Sequence, residues 1–240
     1  MTLHLRWAAV TDQGRVRSTN QDCFYAGDRL LVVADGMGGM AAGDVASRIA
    51  IDAMTSLDVP IENEQQMDAL HKALEVANGR IAETVAADGA LVGMGTTLTA
   101  VIFSGDRAAL AHVGDSRAYL LRDGRLNQLT KDDTYVQMLV DQGLIRPEEA
   151  GSHPRRAVVT QALQGEPVSP AYVIVEPVTG DRWLLCSDGL TGVVAPEQIE
   201  AEMLQVADPQ QCAERLVQLA LDGGGPDNVT VILADLTVAP

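Results

Sequence analysis

Hydrophobic side chains follow two different periods along the chain, and each period predicts one type of element. The stretch 3–10 partly alternates between apolar and polar residues, and 29–34 is mostly a short apolar run, so both are predicted to be strands. At 43–57 and 67–85 apolar residues recur every three or four positions, which predicts two amphipathic helices. The same criteria predict strands at 95–103, 107–113, 116–122, 125–129, 171–175, 182–186 and 229–236, and helices near 135–139, 196–204 and 209–221.

The order of these elements favours antiparallel sheet. Strands come in adjacent groups joined by hairpin signals such as Asp123-Gly124, and helices come in adjacent pairs, so strict β-α-β alternation is missing from the pattern. This order predicts an α+β protein in which helix pairs cover antiparallel sheet. No low-complexity linker divides the chain, so 1–240 is predicted to be one domain, with a stretch of mixed character at about 131–165.

Composition and charge narrow the class of protein. The chain has 240 residues, with 17 Lys and Arg against 33 Asp and Glu and a formal net charge of -16. Such an excess of negative charge repels polyphosphate backbones, which disfavours nucleic acid as a partner. Cys23, Cys186 and Cys212 are an odd number and far apart, which favours a reducing, cytoplasmic compartment. The sequence also predicts no signal peptide and no apolar run long enough to span a bilayer.

Four predicted strands meet an aspartate that stands beside Gly, Ser or Asn. These are Asp35, Asp115, Asp188 and Asp227. A carboxylate at the end of a buried strand is costly unless a cation or another partner balances it. Because carboxylate oxygens are hard ligands and no His or Cys cluster accompanies them, the pattern indicates Mg²⁺ or Mn²⁺. The alternative is a plain turn, since Asp-Gly is a turn dipeptide that recurs at positions 35, 88, 123, 188 and 222.

Six short motifs, taken together, favour the metal over the turn. They are Arg17-Ser18-Thr19-Asn20-Gln21-Asp22, Asp35-Gly36-Met37-Gly38-Gly39, Gly95-Thr96-Thr97, Gly114-Asp115-Ser116-Arg117, Ser187-Asp188-Gly189 and Gly225-Pro226-Asp227-Asn228. In this order and spacing they resemble the motif series of the metal-dependent type 2C (PPM family) protein serine/threonine phosphatases, in its bacterial form. The resemblance covers essentially the whole chain. It implies two antiparallel sheets packed face to face with a helix pair outside each, an α-β-β-α sandwich. It also makes 131–165 the family's flap beside the active site.

The resemblance implies a set of metal ligands, residue by residue. Asp35 matches the carboxylate that bridges the two central metals, and Asp188 and Asp227 match the other ligands of the first. The Gly36 carbonyl matches a ligand of the second metal. Asp115, with Asp188, matches the pair that holds a third metal in bacterial relatives. The implied cofactor is therefore Mn²⁺ or Mg²⁺, as two central ions with a third beside them.

Other residues match substrate and water contacts, with two departures from the family pattern. Arg17 matches the guanidinium that grips the substrate phosphate, and Asp22 matches a carboxylate that hydrogen-bonds metal-bound water. Gln21 stands where many relatives have Glu, and the lost charge is expected to weaken the second metal. Met37 and Met40 stand where relatives carry histidines, so the group that protonates the leaving oxygen is unassigned.

The implied activity is hydrolysis of phosphoserine and phosphothreonine in proteins. A phosphomonoester dianion repels hydroxide, and a metal pair offsets this repulsion while its bridging water acts as the nucleophile. The expected protein is a cytoplasmic monomer that acts on phosphorylated proteins and opposes Ser/Thr kinases. One alternative is a phosphoprotein-binding module of the same fold with little turnover. Another is dinucleotide binding by the G-x-G-x-x-A pattern at 36–41, which the carboxylate of Asp35 disfavours.

Overall fold

Eleven strands and seven helices build the described part of the chain, residues 3–38 and 42–238 of a computed structural model. The strands are β1 (Leu3–Asp12), β2 (Asp22–Ala26), β3 (Leu30–Met37), β4 (Gly95–Thr96), β5 (Leu98–Ser104), β6 (Arg107–Val113), β7 (Arg117–Arg122), β8 (Arg125–Gln128), β9 (Ala171–Val175), β10 (Arg182–Cys186) and β11 (Val229–Val238). The helices are α1 (Ala42–Met54), α2 (Gln66–Ala87), α3 (Tyr135–Asp141), α4 (Pro147–Ala150), α5 (Asp188–Thr191), α6 (Pro196–Gln205) and α7 (Pro209–Asp222).

The strands form two antiparallel sheets. The first sheet has the order β1-β11-β10-β7-β8, and the second has β2-β3-β5-β6-β9 with the short β4 paired to β3. The hairpin between β7 and β8 turns at Asp123 and Gly124, which both have positive φ as a type I′ turn requires. Because β3 is antiparallel to both of its long neighbours, this segment cannot be the parallel β-α-β unit that binds dinucleotides.

Three apolar layers separate the sheets and helices. On β3 of the second sheet, Leu31 and Val33 face the first sheet. In the layer between the two sheets Trp183 is fully buried and packs edge-on against Phe103, with the ring centroids 5.0 Å apart. The alternate residues of β3, including Val32, face α1 and α2. On the other side α6 and α7 cover the first sheet through a third apolar cluster. The predicted α-β-β-α sandwich is therefore confirmed.

Strands buried on both faces explain why the sequence shows continuous apolar runs. All seven residues of β5 and all five of β10 are buried, so neither strand alternates cleanly between apolar and polar residues. Strand β2 escaped prediction because its five residues are all half-buried and give no period. The predicted helix at 43–57 ends at residue 54 and continues as a 3₁₀ turn over Thr55–Leu57.

The segment between β8 and β9 contains α3 and α4 and returns to the second sheet. Two isolated β-bridges fix this segment. The bridge between Thr134 and Val159 lies within it, and the bridge between Leu163 and Thr96 joins it to β4. The segment includes the predicted flap, 131–165. Within residues 3–38 and 42–238, no helix combines the length and the apolarity needed to cross a membrane.

Candidate metal centre

Asp35 lies at the end of β3, where its backbone is fixed by the neighbouring β4–β5 segment. Its N–H donates to Thr97 Oγ1 at 3.0 Å, and its carbonyl accepts from the Thr97 N–H at 2.9 Å. Across the β2–β3 ladder Asp35 is paired directly with Asp22. Like charges placed opposite each other on antiparallel strands repel, so this pairing needs a counter-charge.

Gly36 allows the first helix to approach the end of β3 closely. A Cβ atom at Gly36 would overlap the carbonyl oxygen of Gly43 in α1 and lie 2.5 Å from the carbonyl oxygen of Gln21. The Gly36 N–H donates to that Gln21 carbonyl at 3.2 Å. Glycine is thus required by contact between backbones, and α1 begins directly beside the backbone of Gly36.

Three further aspartates stand at the same end of the sandwich. Asp188 is the first residue of α5 and follows β10, and Asp227 precedes β11, the strand paired with β10. Asp115 lies in the connection between β6 and β7. All three line one cleft with a volume of about 300 Å³. The two sheets therefore bring together the aspartates that the sequence singled out.

The pKa values of these carboxyls show that they share one electrostatic environment. Burial raises the pKa of Asp35 well above its usual range, and the charges of Asp22 and Asp188 raise it further. Burial, followed by the charge of Asp188, raises the pKa of Asp115 to about 7. Burial likewise raises the pKa of Asp22 to about 6, although two hydrogen bonds to its carboxylate oppose the change. A cation at the centre would offset this repulsion.

The donor set fits a hard divalent cation. Asp22 Oδ2 accepts from Ser187 Oγ and Thr230 Oγ1, both at 2.7 Å, whereas Asp22 Oδ1 is buried and has no hydrogen-bond partner among the described residues. A buried acceptor without a donor costs about 1–3 kcal/mol, which a water molecule held at the centre would recover. Among residues 3–38 and 42–238 no three Asp, Glu, His or Cys side chains already meet at ligating distance. The carboxylates thus form a loose cluster whose mutual repulsion a cation would overcome.

Arg17 stands on the loop between β1 and β2, at the edge of this cluster. Its Nη2 donates to Asp227 Oδ2 at 2.6 Å, and this hydrogen bond is the main cause of its raised pKa. The resemblance assigned Arg17 to phosphate and Asp227 to a metal, whereas the structure pairs the two side chains. The guanidinium is 52% exposed and keeps further N–H donors for a ligand.

Gln21 and Met37, two of the residues that depart from the family pattern, lie beside or on the strand that carries Asp35. The Gln21 carbonyl also accepts from Ser47 Oγ at 2.7 Å, so the backbone of Gln21 joins β3 to α1. Met37 ends β3, pairs with Gly95 of β4 and is half-buried. Met40 falls outside the described residues.

The flap forms one wall of the cleft and is anchored at its base. Arg117 Nε and Nη2 donate to the two carboxylate oxygens of Asp132 at 2.8 and 2.7 Å, which ties the start of the flap to β7. The flap's contribution to the cleft wall includes Thr134, Gln137 and Arg156. A substrate bound at the aspartates would therefore contact the flap.

Residues 13–220 match the family model described as Protein phosphatase 2C. The chain belongs to the protein phosphatase 2C family. It is 53% identical over 236 residues to the serine/threonine protein phosphatase PstP of Mycobacterium tuberculosis. This match covers 98% of this chain and 46% of PstP. It is 37% identical to the serine/threonine phosphatase stp of Listeria welshimeri, covering 94% of this chain and 93% of that protein. The chain thus spans about half the length of PstP and nearly all of the Listeria relative.

A solved structure of a serine/threonine phosphatase catalytic domain has the same fold as this chain and matches nearly its whole length. The crystal structure of the catalytic domain of PstP in complex with two manganese ions superimposes with a TM-score of 0.93 at 51% identity. The match covers 99% of this chain and 100% of that chain. The predicted family and fold are confirmed by these similarities.

Sequence reasoning missed the polar residues that hold the phosphatase 2C aspartates in place. Thr97, Ser187, Thr230 and Asn228 all bond to the aspartates or to their neighbouring loops. The available signal was proximity, since Ser187 precedes Asp188 and Asn228 follows Asp227. Which loop each side chain bonds could not be read from the sequence.

Proposed function

We propose that the chain is a metal-dependent phosphatase that hydrolyses phosphoserine and phosphothreonine in proteins. The observation that carries this proposal is the convergence of aspartates from both sheets beside one cleft, at whose edge Arg17 pairs with Asp227. Asp115, Asp188 and Asp227 line this cleft, and the charge of Asp188 helps to raise the pKa of Asp35. The similarity to named serine/threonine phosphatases supports the substrate class.

The residues divide into a metal-binding group and a phosphate-binding group. We assign Asp35, Asp188 and Asp227, with the Gly36 carbonyl, to two Mn²⁺ or Mg²⁺ ions, and Asp115 with Asp188 to a third. Two manganese ions in the similar PstP domain support the first part of this assignment. When bound, such ions lower the pKa of the attacking water and neutralise charge on the phosphate.

The chain's own side chains orient the reactants. The free N–H donors of Arg17 can bind two phosphate oxygens bidentately, which fixes the phosphorus in one position. The unpartnered Oδ1 of Asp22 can accept a hydrogen bond from the attacking water and so align it. The side chain of Met37 carries no transferable proton, so the leaving oxygen takes its proton from another donor.

The cellular role follows from the substrate class. We propose that the protein acts in the cytoplasm as a monomer and reverses the action of Ser/Thr kinases. Its three cysteines are free, which supports a reducing compartment. The fold over 1–240 is proposed to be a single catalytic domain with the flap as its insertion.

The test is phosphate release from a phosphothreonine peptide with Mn²⁺ and with EDTA. Turnover is expected with Mn²⁺ and is expected to disappear in EDTA and in the Asp35→Asn and Asp188→Asn variants. Asp123→Asn, which makes the same chemical change in a surface turn where Asn is equally suited, is the matched control and should remain active. Full activity in EDTA would refute the metal mechanism. Tight binding of the phosphopeptide without phosphate release would instead favour a binding module.

A further inference from the structure

The loop that carries Arg17 is bonded at three points by one buried side chain on a different part of the chain. The loop comprises residues 13–21, between β1 and β2. Asn228, which directly precedes β11, is 5% exposed and reaches this loop with both ends of its amide. The loop itself is mostly exposed, so apolar burial contributes little to its position.

The amide of Asn228 makes three hydrogen bonds, one before and two after Arg17 in the loop. Asn228 Nδ2 donates to the carbonyls of Gln13 and Thr19, both at 2.8 Å. Asn228 Oδ1 accepts from the Gln21 N–H, also at 2.8 Å. Arg17 therefore lies in a short span whose two ends are fixed to the same amide.

The backbone of Asn228 is in turn fixed to the aspartate cluster. Its N–H donates to Asp227 Oδ1 at 2.8 Å, and a Cβ atom on Gly189 would overlap its carbonyl oxygen. Gly189 directly follows Asp188, so Asn228 is packed against both aspartates of the first sheet. This contact links the position of the Arg17 loop to the position of the carboxylates.

Each of the other contacts described for the loop holds it at a single point or joins two of its own residues. The Arg15 N–H donates to the Gly225 carbonyl at 2.7 Å, and Gln13 Nε2 donates to the Arg17 carbonyl at 2.7 Å. Gly14 has a φ of +78°, and a Cβ atom there would overlap the Asp227 carbonyl, so the loop passes very close to Asp227. Asn228 alone bonds to both ends of the span that contains Arg17, within the described residues.

We propose that Asn228 is a positioning residue that holds the Arg17 loop so that the guanidinium stands beside Asp227 for phosphate binding. The inference rests on the proposed phosphatase function. Only an amide of this size supplies one acceptor and two donors at these places. Aspartate has the same shape, but it offers no donor to the two carbonyls and would place a charged oxygen against them.

The test is a double-mutant cycle between Asn228→Asp and Arg17→Ala, measured as kcat/KM for a phosphothreonine peptide with Mn²⁺. In the presence of Arg17, Asn228→Asp is expected to lower kcat/KM at least about tenfold, equivalent to about 1.4 kcal/mol. In the Arg17→Ala background the same change is expected to alter kcat/KM by no more than about twofold. Equal effects in both backgrounds would overturn the proposal, because Asn228 would then act independently of Arg17.

Two further measurements separate positioning from general damage. Hydrogen exchange of the peptide covering 13–21 is expected to accelerate in Asn228→Asp, and the calorimetric affinity for Mn²⁺ is expected to stay within about twofold. Unchanged exchange, or loss of Mn²⁺ binding, would overturn the proposal. Gln66→Glu is the matched control, because Gln66 is a fully buried amide whose Nε2 donates to the Ser104 carbonyl at the far end of the sheet. It should lower stability and leave kcat/KM unchanged.

A second variant keeps the test decisive if Asn228→Asp does not fold. Gln13→Ala changes an exposed side chain and removes only the hydrogen bond to the Arg17 carbonyl. It is expected to lower kcat/KM in the presence of Arg17 and not in the Arg17→Ala background, and equal effects in both would again overturn the proposal. A wild-type protein without turnover would refute the proposed function, whereas an active wild type with an unaffected Asn228→Asp variant would refute only this inference.

Discussion

Replacing Asp35 with asparagine should stabilise the metal-free protein and abolish its response to Mn²⁺. Asp35 faces Asp22 directly across the β2–β3 ladder, and both residues are half-buried. Opposed like charges on neighbouring strands cost about 0.2–1 kcal/mol, and burial without a counter-ion adds to that cost. In EDTA at pH 8, Asp35→Asn is therefore expected to raise the free energy of unfolding by about 1 kcal/mol or more.

The same substitution removes the carboxylate assigned to both central ions. At a Mn²⁺ concentration 100 times the dissociation constant, one site stabilises a protein by about 2.7 kcal/mol. For a domain of this size that corresponds to an increase in Tm of roughly 5–10 °C. We expect this increase in the wild type and in the Asp123→Asn control, and no increase in Asp35→Asn.

Thermal and urea unfolding, each with Mn²⁺ and with EDTA, measure both effects without relying on turnover. An Asp35→Asn variant with the wild-type Mn²⁺ shift would show that Asp35 is not a ligand. A variant that is less stable than the wild type in EDTA would show that the opposed carboxylates are not a source of strain. Either result would refute the reasoning.

Two further predictions concern groups away from the cleft. Arg182→Met removes a buried guanidinium that bonds bidentately to Asp235 and also donates to carbonyls at the end of α6. It is expected to lower the free energy of unfolding, measured in urea, by about 3–5 kcal/mol, and a loss below about 1 kcal/mol would contradict this. Burial lowers the pKa of His112 in the folded protein. Between about pH 6.5, the ordinary value, and the lower folded-state pKa, the unfolded chain therefore binds a proton that the folded protein does not. Stability falls as the pH falls through this range. His112→Gln should remove up to about 1.4 kcal/mol per pH unit of that slope, whereas the exposed control His4→Gln should leave it unchanged.

The sequence pattern alone predicted the element types well, because most elements have strong, simple periods. The helices corresponding to α2 and α7 were predicted within about two residues, since apolar positions recur at helical spacing and Pro209 marks the start of α7. The number of sheets was not accessible from periodicity, because strands buried on both faces have no polar side. Resemblance to a known family supplied that step.

For the site, the sequence identified the aspartates but not their supporting contacts. Asp35, Asp115, Asp188 and Asp227 carry a local signal, because each meets an apolar strand. Asn228 belongs to the same motif as Asp227, but its role has no local signal, since its three partners are backbone groups more than 200 residues away in the chain. The pairing of Arg17 with Asp227 could not be predicted from the sequence either, because it depends on how the β1–β2 loop crosses the edge of the first sheet.

The placement of the aspartates makes the metal centre depend on the packing between the sheets. Asp35 belongs to the second sheet, Asp188 and Asp227 adjoin strands of the first, and Asp115 lies in the β6–β7 connection that joins the two sheets. Asp35 shares no strand with Asp188 or Asp227, so the apolar layer around Trp183 sets the distance between them. A close-packed layer resists change by even one methylene group, which gives the ligands a rigid separation despite their mutual repulsion. Five of the 33 acidic residues, Asp22, Asp35, Asp115, Asp188 and Asp227, thus gather at the one edge of the sandwich where a bound cation would balance them.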